Sequence, residues 1–469
     1  MKRLIILAVL CAFVLSAAVA SAADIKATGT WIVEANWNAN WAFDDDIANS
    51  TDTDRSAFGV SQRADTIFEF IANENLKGVL YTRIGTAKWG QGAFDMGNTN
   101  SVIGVRRAFL DFNYPGTDIN VRAGYQAVSL PNAFGGGSLI LDEEIGSAVV
   151  SGAITDNVGF LVGYARATDG GNAAATNKNA YVDGYIAALP LTFDGISLTP
   201  FGMYSPIGTN YSAATAAGGN LVGLAATNAS TNANGADFDN AYWLGAAFTM
   251  DLFDPFVVKA DFNYGKVDSK IDNNKRSGWL FDAALEYKGW DFMTPEVFFT
   301  YTSGEDGNAS KSGGKSERMP VLAAQNWAIG SFFFGGDRLL NGSIQETNDY
   351  MGFWALGLSL KDIQSFAEGL THDFHLIYAQ GTNDKNAFNQ SAGLAGNNNY
   401  NYKYGRTLTE DDSLWEVDFN TGYKLYDGLT LSLDLGYLNL DTKKERWDNT
   451  EGQKGGDAWK VSTGIMYQF

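Results

Sequence analysis

The sequence predicts an all-β protein, a single transmembrane antiparallel β-barrel of about 18 strands. Three observations predict it. Apolar residues recur with period two, connectors alternate between short and long, and the last ten residues form an amphipathic strand ending in Phe469.

Successive side chains of a strand point to opposite faces, so period two separates an apolar side from a polar one. In residues 414–423, Trp415, Val417, Phe419, Thr421 and Tyr423 share one face, and Glu416, Asp418 and Asn420 share the other. Residues 429–437 set Leu429, Leu431, Leu433, Leu435 and Tyr437 against Ser432 and Asp434. Residues 256–264 and 279–287 repeat the scheme, with Asp261 and Asp282 on the polar sides. Soluble sandwiches also alternate. These runs, however, have the ~9–11-residue length that crosses a bilayer when tilted, and their polar faces hold too many acids for an ordinary core.

The short connectors fall at 73–76, 114–117, 155–157, 190–195, 252–255, 289–291, 362–369 and 426–428, with long polar loops such as 205–239, 303–348 and 380–411 between them. Tight periplasmic turns and long outer loops are the asymmetry of outer-membrane barrels. The count falls to 16 if two weak strands around residues 146–191 are misread. No linker or fixed-period repeat divides the chain, so residues 24–469 read as one barrel.

Composition agrees. There are 53 glycines, 8 prolines and 13% aromatics, and beyond the leader no stretch reaches the ~20 apolar residues of a membrane helix. The leader itself is an address. Lys2 and Arg3, an apolar run over 4–20 and small residues at Ala20-Ser21-Ala22-Ala23 make a secretory signal peptide, cleaved after Ala22 or Ala23. Cleavage removes Cys11, the only cysteine, which excludes disulfides and thiolate metal sites. What remains has 31 basic and 53 acidic residues, a charge that excludes nucleic acid as a partner.

With Ile25-Lys26-Ala27-Thr28-Gly29-Thr30-Trp31, Phe58-Gly59-Val60-Ser61-Gln62-Arg63 and Asn75-Leu76-Lys77-Gly78, the chain resembles a trimeric outer-membrane porin. The likeness is to the porins of sulfate-reducing Gram-negative bacteria. It spans the whole chain, most strongly the first 150 residues and the last 60. The resemblance implies a homotrimer in outer-membrane lipid and lipopolysaccharide, passive diffusion of small hydrophilic solutes and ions, and trimer contacts on the early strands. The terminal strand, with Tyr467 and Phe469 on its apolar face, resembles those that the barrel-assembly machinery recognises.

A diffusion channel needs a constriction whose width and charge select solutes. Face assignment puts Arg63, Arg83, Arg107 and Arg122 on the lumen side of four consecutive strands, a basic wall. The connector 129–144 carries Gly135-Gly136-Gly137 and then Asp142, Glu143 and Glu144. In general porins the third outer loop folds inward and opposes a basic wall with its acids, so these three are expected as constriction-loop acids. The alternative is that the arginines pair with nearby lumen acids. Parity turns Arg106 outward, which calls for either a slip in register or shelter at a subunit interface. Phe109, Phe298 and Phe353 are the aromatics placed inward. Asp44, Asp45 and Asp46 make the first outer loop acidic, a candidate for structural calcium or a lipopolysaccharide-bridging divalent cation, though the spacing matches no defined calcium loop and a solvated charge run explains it as well.

Catalysis is not expected. The two histidines, His372 and His375, sit three apart and so face opposite sides of a strand, and no serine motif supplies a nucleophile. No cofactor is expected. A structural or adhesive barrel without conductance and a solute-selective channel are the other readings. Sixteen to 18 strands leave an aqueous channel, which favours the pore.

Overall fold

The computed structural model describes residues 23–39, 56–98, 103–169, 181–208, 238–308, 315–323, 327, 330–332, 340, 351–387, 408–442 and 456–469. The leader and Asp44, Asp45 and Asp46 lie outside the described residues.

Strands β1 (Asp24–Ala39), β2 (Ser56–Asn73), β3 (Leu76–Lys88), β4 (Ile103–Asn113), β5 (Asn120–Ser129), β6 (Asp142–Thr155) and β7 (Val158–Asp169) build one half of the wall. Next come β8 (Tyr181–Ala188), β9 (Leu191–Phe193) and β10 (Ile196–Pro206). The other half holds β11 (Phe238–Phe253), β12 (Phe256–Ser269), β13 (Arg276–Tyr287), β14 (Thr294–Thr302) and β15 (Phe353–Gln364). It ends with β16 (Leu370–Gly381), β17 (Ser413–Tyr426), β18 (Leu429–Asp441) and β19 (Gly456–Gln468). Both β8 and β9 pair with β7 on one side and β10 on the other. They are one strand interrupted at Pro190, whose ring removes a ladder donor while its carbonyl still accepts from Gly159 at 2.8 Å. The wall therefore has 18 strands, and the weak strands around residues 146–191 belong to it.

Each strand pairs antiparallel with its chain neighbours, and β1 also pairs with β19 from Thr30↔Gln468 to Ala39↔Trp459. Closure leaves no open edge, as a sheet in hydrocarbon requires. Phe469 extends the seam, its backbone exchanging bonds with Gly29 at 2.9 and 3.1 Å. A Cβ on Gly29 would lie 2.2 Å from the Asp65 carbonyl oxygen, so the seam needs glycine there.

The faces fall as the period-two pattern predicts. Trp415, Phe419, Leu433, Leu435, Tyr437, Phe262 and Leu285 point outward and are exposed, whereas Glu416, Asp418, Asp434, Asp261 and Asp282 point inward and are buried. Connector lengths segregate as expected with one exception. At the long-loop end, β12 and β13 are joined by residues 270–275 alone, tightened by a 3-10 turn over Asp272–Asn274.

Candidate functional site

Two chain segments fold into the lumen and make its walls unlike. The first is the connector 130–141, which crosses to the far wall. Asp261 on β12 accepts the backbone N–H of Ala133 at 2.9 Å on each oxygen, that of Phe134 at 2.8 Å, and the Asn132 side-chain amide at 3.2 Å. The Phe134 ring meets Phe298 of β14 and Trp327 edge-on, at 5.7 and 6.1 Å between centroids. Leu130, Leu139, Ile140 and Leu141 are buried behind it.

The second segment, from the connector between β14 and β15, was not foreseen. The Trp243 indole donates to the Pro320 carbonyl at 2.8 Å, and Arg276 donates to the carbonyls of Arg318 (2.8 Å) and Met319. The two segments are joined: Leu322 and Ala323 donate to the Ile140 carbonyl, and Asp142 donates to that of Ala323. Further along, Ser331 donates its amide to Asp418 (3.0 Å), Phe332 to Glu416 (3.1 Å) and Leu340 to Glu34 (2.6 Å). The Lys460 ammonium contacts the Ser331 carbonyl. Buried backbone donors need partners, and carboxylates on the polar faces of β12, β17 and β1 provide them. Met319-Pro320-Val321-Leu322, an apolar run inside a long outer loop, was the sequence signal for this second insertion.

The near wall keeps its charges closer to water. Asp65 on β2 takes Arg63 at 3.0 Å and Arg83 on β3 at 2.6 Å, and Arg83 also donates to the Tyr81 hydroxyl at 2.9 Å. The face is the lumen one, since Phe68, Phe70 and Leu80 occupy the other. The Arg107 guanidinium lies 5.3 Å from the Tyr81 ring centre and 3.3 Å from Glu144, which also contacts Arg106. These residues form a chain of contacts from β2 to β6. The side chains of Arg63, Arg83 and Arg107 are 24, 19 and 35% exposed, against 0% for Asp282 and Asp418 on the far wall.

Two expectations are revised, and the choice left open for Arg106 falls to one of its alternatives. Asp142, Glu143 and Glu144 are not in the loop; they open β6, paired with Ser129, Val128 and Ala127 of β5. Strand pairing runs further up the wall than the sequence pattern implied, so Glu144 meets Arg106 and Arg107 from the same side of the lumen rather than across it. Arg106 is explained by a slip in register: Arg107 pairs with Tyr81 and Val105 with Thr82, which leaves Arg106 in a bulge and brings it to Glu144. Phe298 and Phe353 face inward as expected, but Tyr81, Trp243, Trp327 and Phe332 join them. Arg122 faces Asp111 in register and, among the described residues, has no ion pair within 4 Å.

His372 and His375 do face opposite sides. His372 stacks on outward Phe419, while His375, buried in the lumen, bonds the Ser359 hydroxyl at 2.8 Å. Tyr467 and Phe469 stack at 5.7 Å on the outer face. Among the described residues, no group of three or more His, Cys, Asp or Glu side chains is arranged to hold a metal ion.

An 18-stranded closed antiparallel barrel is an outer-membrane fold. Solved structures agree on the fold. A BenF-like porin from Pseudomonas fluorescens Pf-5 aligns with a TM-score of 0.54 at 12% identity, covering 95% of this chain and 99% of that one. The outer membrane protein OprD from Pseudomonas aeruginosa gives 0.52 at 11%, covering 96 and 95%. OccK11 (OpdR) from the same species gives 0.51 at 10%, covering 94 and 96%. No family model and no curated protein matches the sequence.

Proposed function

We propose that this protein is an outer-membrane porin, a water-filled channel for passive diffusion of small hydrophilic solutes and ions. One observation carries the reading: the inward segments cover Asp261, Glu416 and Asp418 on one side of the lumen, while Arg63, Arg83 and Arg107 on β2–β4 stay partly exposed, which supports a passage along the arginines. Arg63, Arg83, Arg107 and Arg122, with Arg106, form its charged side. Asp65 and Glu144 moderate them from the same side, which makes the charge pattern run round the wall instead of across the opening.

The fold likeness to channels supports the outer membrane as location, reached through a signal peptide over residues 1–23 and by the assembly machinery acting on the terminal strand. The sequence resemblance to porins of sulfate-reducing bacteria supports a homotrimer in lipopolysaccharide-containing membrane, without cofactor or enzymatic activity, and leaves Asp44, Asp45 and Asp46 as a candidate divalent-cation cluster. The test is single-channel recording of detergent-purified protein in planar bilayers under a salt gradient. Conductance in steps of three with a defined reversal potential is the expected result. Silence from folded protein sinks the open-pore reading and favours a structural or adhesive barrel.

A further inference from the structure

Asp261 receives both backbone amides and a side-chain amide of the inward segment, with Ala133 touching both of its oxygens. Three donors making four contacts over both oxygens favour the ionised carboxylate, which is acceptor-only. Directly opposite on β13 stands Asp282. Asp282 is fully buried, and no donor reaches either of its oxygens. Among the described residues neither acid has a lysine or arginine within ion-pair distance. On the far side Asp282 is paired with Thr300, whose buried hydroxyl has no hydrogen-bond partner and so does not serve it.

Two ionised carboxylates side by side and buried from solvent, with no cation paired to either, is the arrangement that like-charge repulsion and desolvation both oppose. One proton between them resolves it, and the donors on Asp261 decide where that proton sits. We propose that Asp261 and Asp282 form an acid pair in which Asp282 keeps its proton and donates it to ionised Asp261, and that this pair seats segment 130–141 across the lumen. Asp261 is then the positioning residue for the constriction, and Asp282 holds the Asp261 carboxylate in place from behind. The part played in conduction rests on the channel reading; the protonation of the pair does not.

The pair predicts an asymmetry between two otherwise equivalent substitutions. Asparagine mimics a protonated aspartate, with an N–H where the O–H was. Asp282→Asn therefore preserves the bond to Asp261, and single-channel conductance and open-channel noise stay at the wild-type level. Asp261→Asn turns an amide toward the amides of Ala133 and Phe134, so the segment loosens, noise rises and conductance changes. Asp282→Leu removes the donor and behaves like Asp261→Asn, in barrels whose folding is verified by circular dichroism. Equal defects in Asp282→Asn and Asp261→Asn, or a wild-type Asp261→Asn channel, overturn the proposal.

Infrared difference spectra give a readout independent of current. The carbonyl stretch of a protonated carboxyl should be present in the wild type and missing from Asp282→Asn. If no such band is lost, the protonation assignment is wrong whatever the channels do. If the band is lost but wild-type protein never conducts, the channel reading fails and the acid pair stands.

Discussion

The two halves of the lumen wall use the same residue types for opposite ends. Near β2–β6, charges pair with charges: buried Asp65 holds Arg63 and Arg83, and Glu144 holds Arg106 and Arg107, with the guanidinium groups partly open to water. On β12 and β17, Asp261, Glu416 and Asp418 take the backbone amides of the inward segments and are sealed from solvent, while Glu286 and Glu296 between them keep lysine partners. An acid facing a lumen is thus of two kinds. One shapes the field that a solute meets, and the other fixes how much room the solute has. The first kind should govern selectivity with little effect on stability, and the second the reverse.

The comparison can be broken by substitutions on each side. The largest stability loss is expected from Phe298→Ala on the far wall, which empties the contact beneath Phe134 and costs about 3–5 kcal/mol, measured by denaturant-induced unfolding of the detergent-solubilised barrel. Asp418→Leu follows, since it strands the buried Ser331 amide at a cost of about 1–3 kcal/mol; it should leave the reversal potential where it was. On the near wall, Glu144→Gln should cost less than about 1 kcal/mol because its partners are partly exposed. It frees Arg106 and Arg107, so the reversal potential moves toward anion preference. The smallest effect is expected from Arg122→Gln, within about 0.5 kcal/mol in stability, with a slight move toward cations. A far-wall variant that shifts selectivity more than Glu144→Gln does would erase the distinction.

Much of this fold was legible because bilayer physics leaves few solutions. Alternation in residues 414–423 and 429–437 already separated Trp415 and Leu433 from Asp418 and Asp434. The same pattern did not distinguish the two kinds of acid, because Asp65 and Asp418 both occupy polar positions in alternating strands. What separates them is a loop from elsewhere in the chain, and nothing within a few residues of Asp418 records that Ser331 will reach it. The acids at 142–144 were misplaced for a related reason. Acidic residues following glycines look like loop, whereas pairing with Ser129, Val128 and Ala127 makes them strand. Arg106 needed one bulge that parity counting skips over.

The anchoring of the inward segments also says something about time. Leu340 is tied to Glu34, 306 positions earlier, Phe134 to Asp261, 127 later, and Phe332 to Glu416, 84 later. None of these ties can form until the wall strand that carries its acceptor is in place. Segment 130–141 can therefore seat once β12 stands in the wall, whereas the residues around Phe332 and Leu340 must also wait for β17 and β1, so a wall lacking those two strands would enclose a wider and less discriminating passage than the finished one.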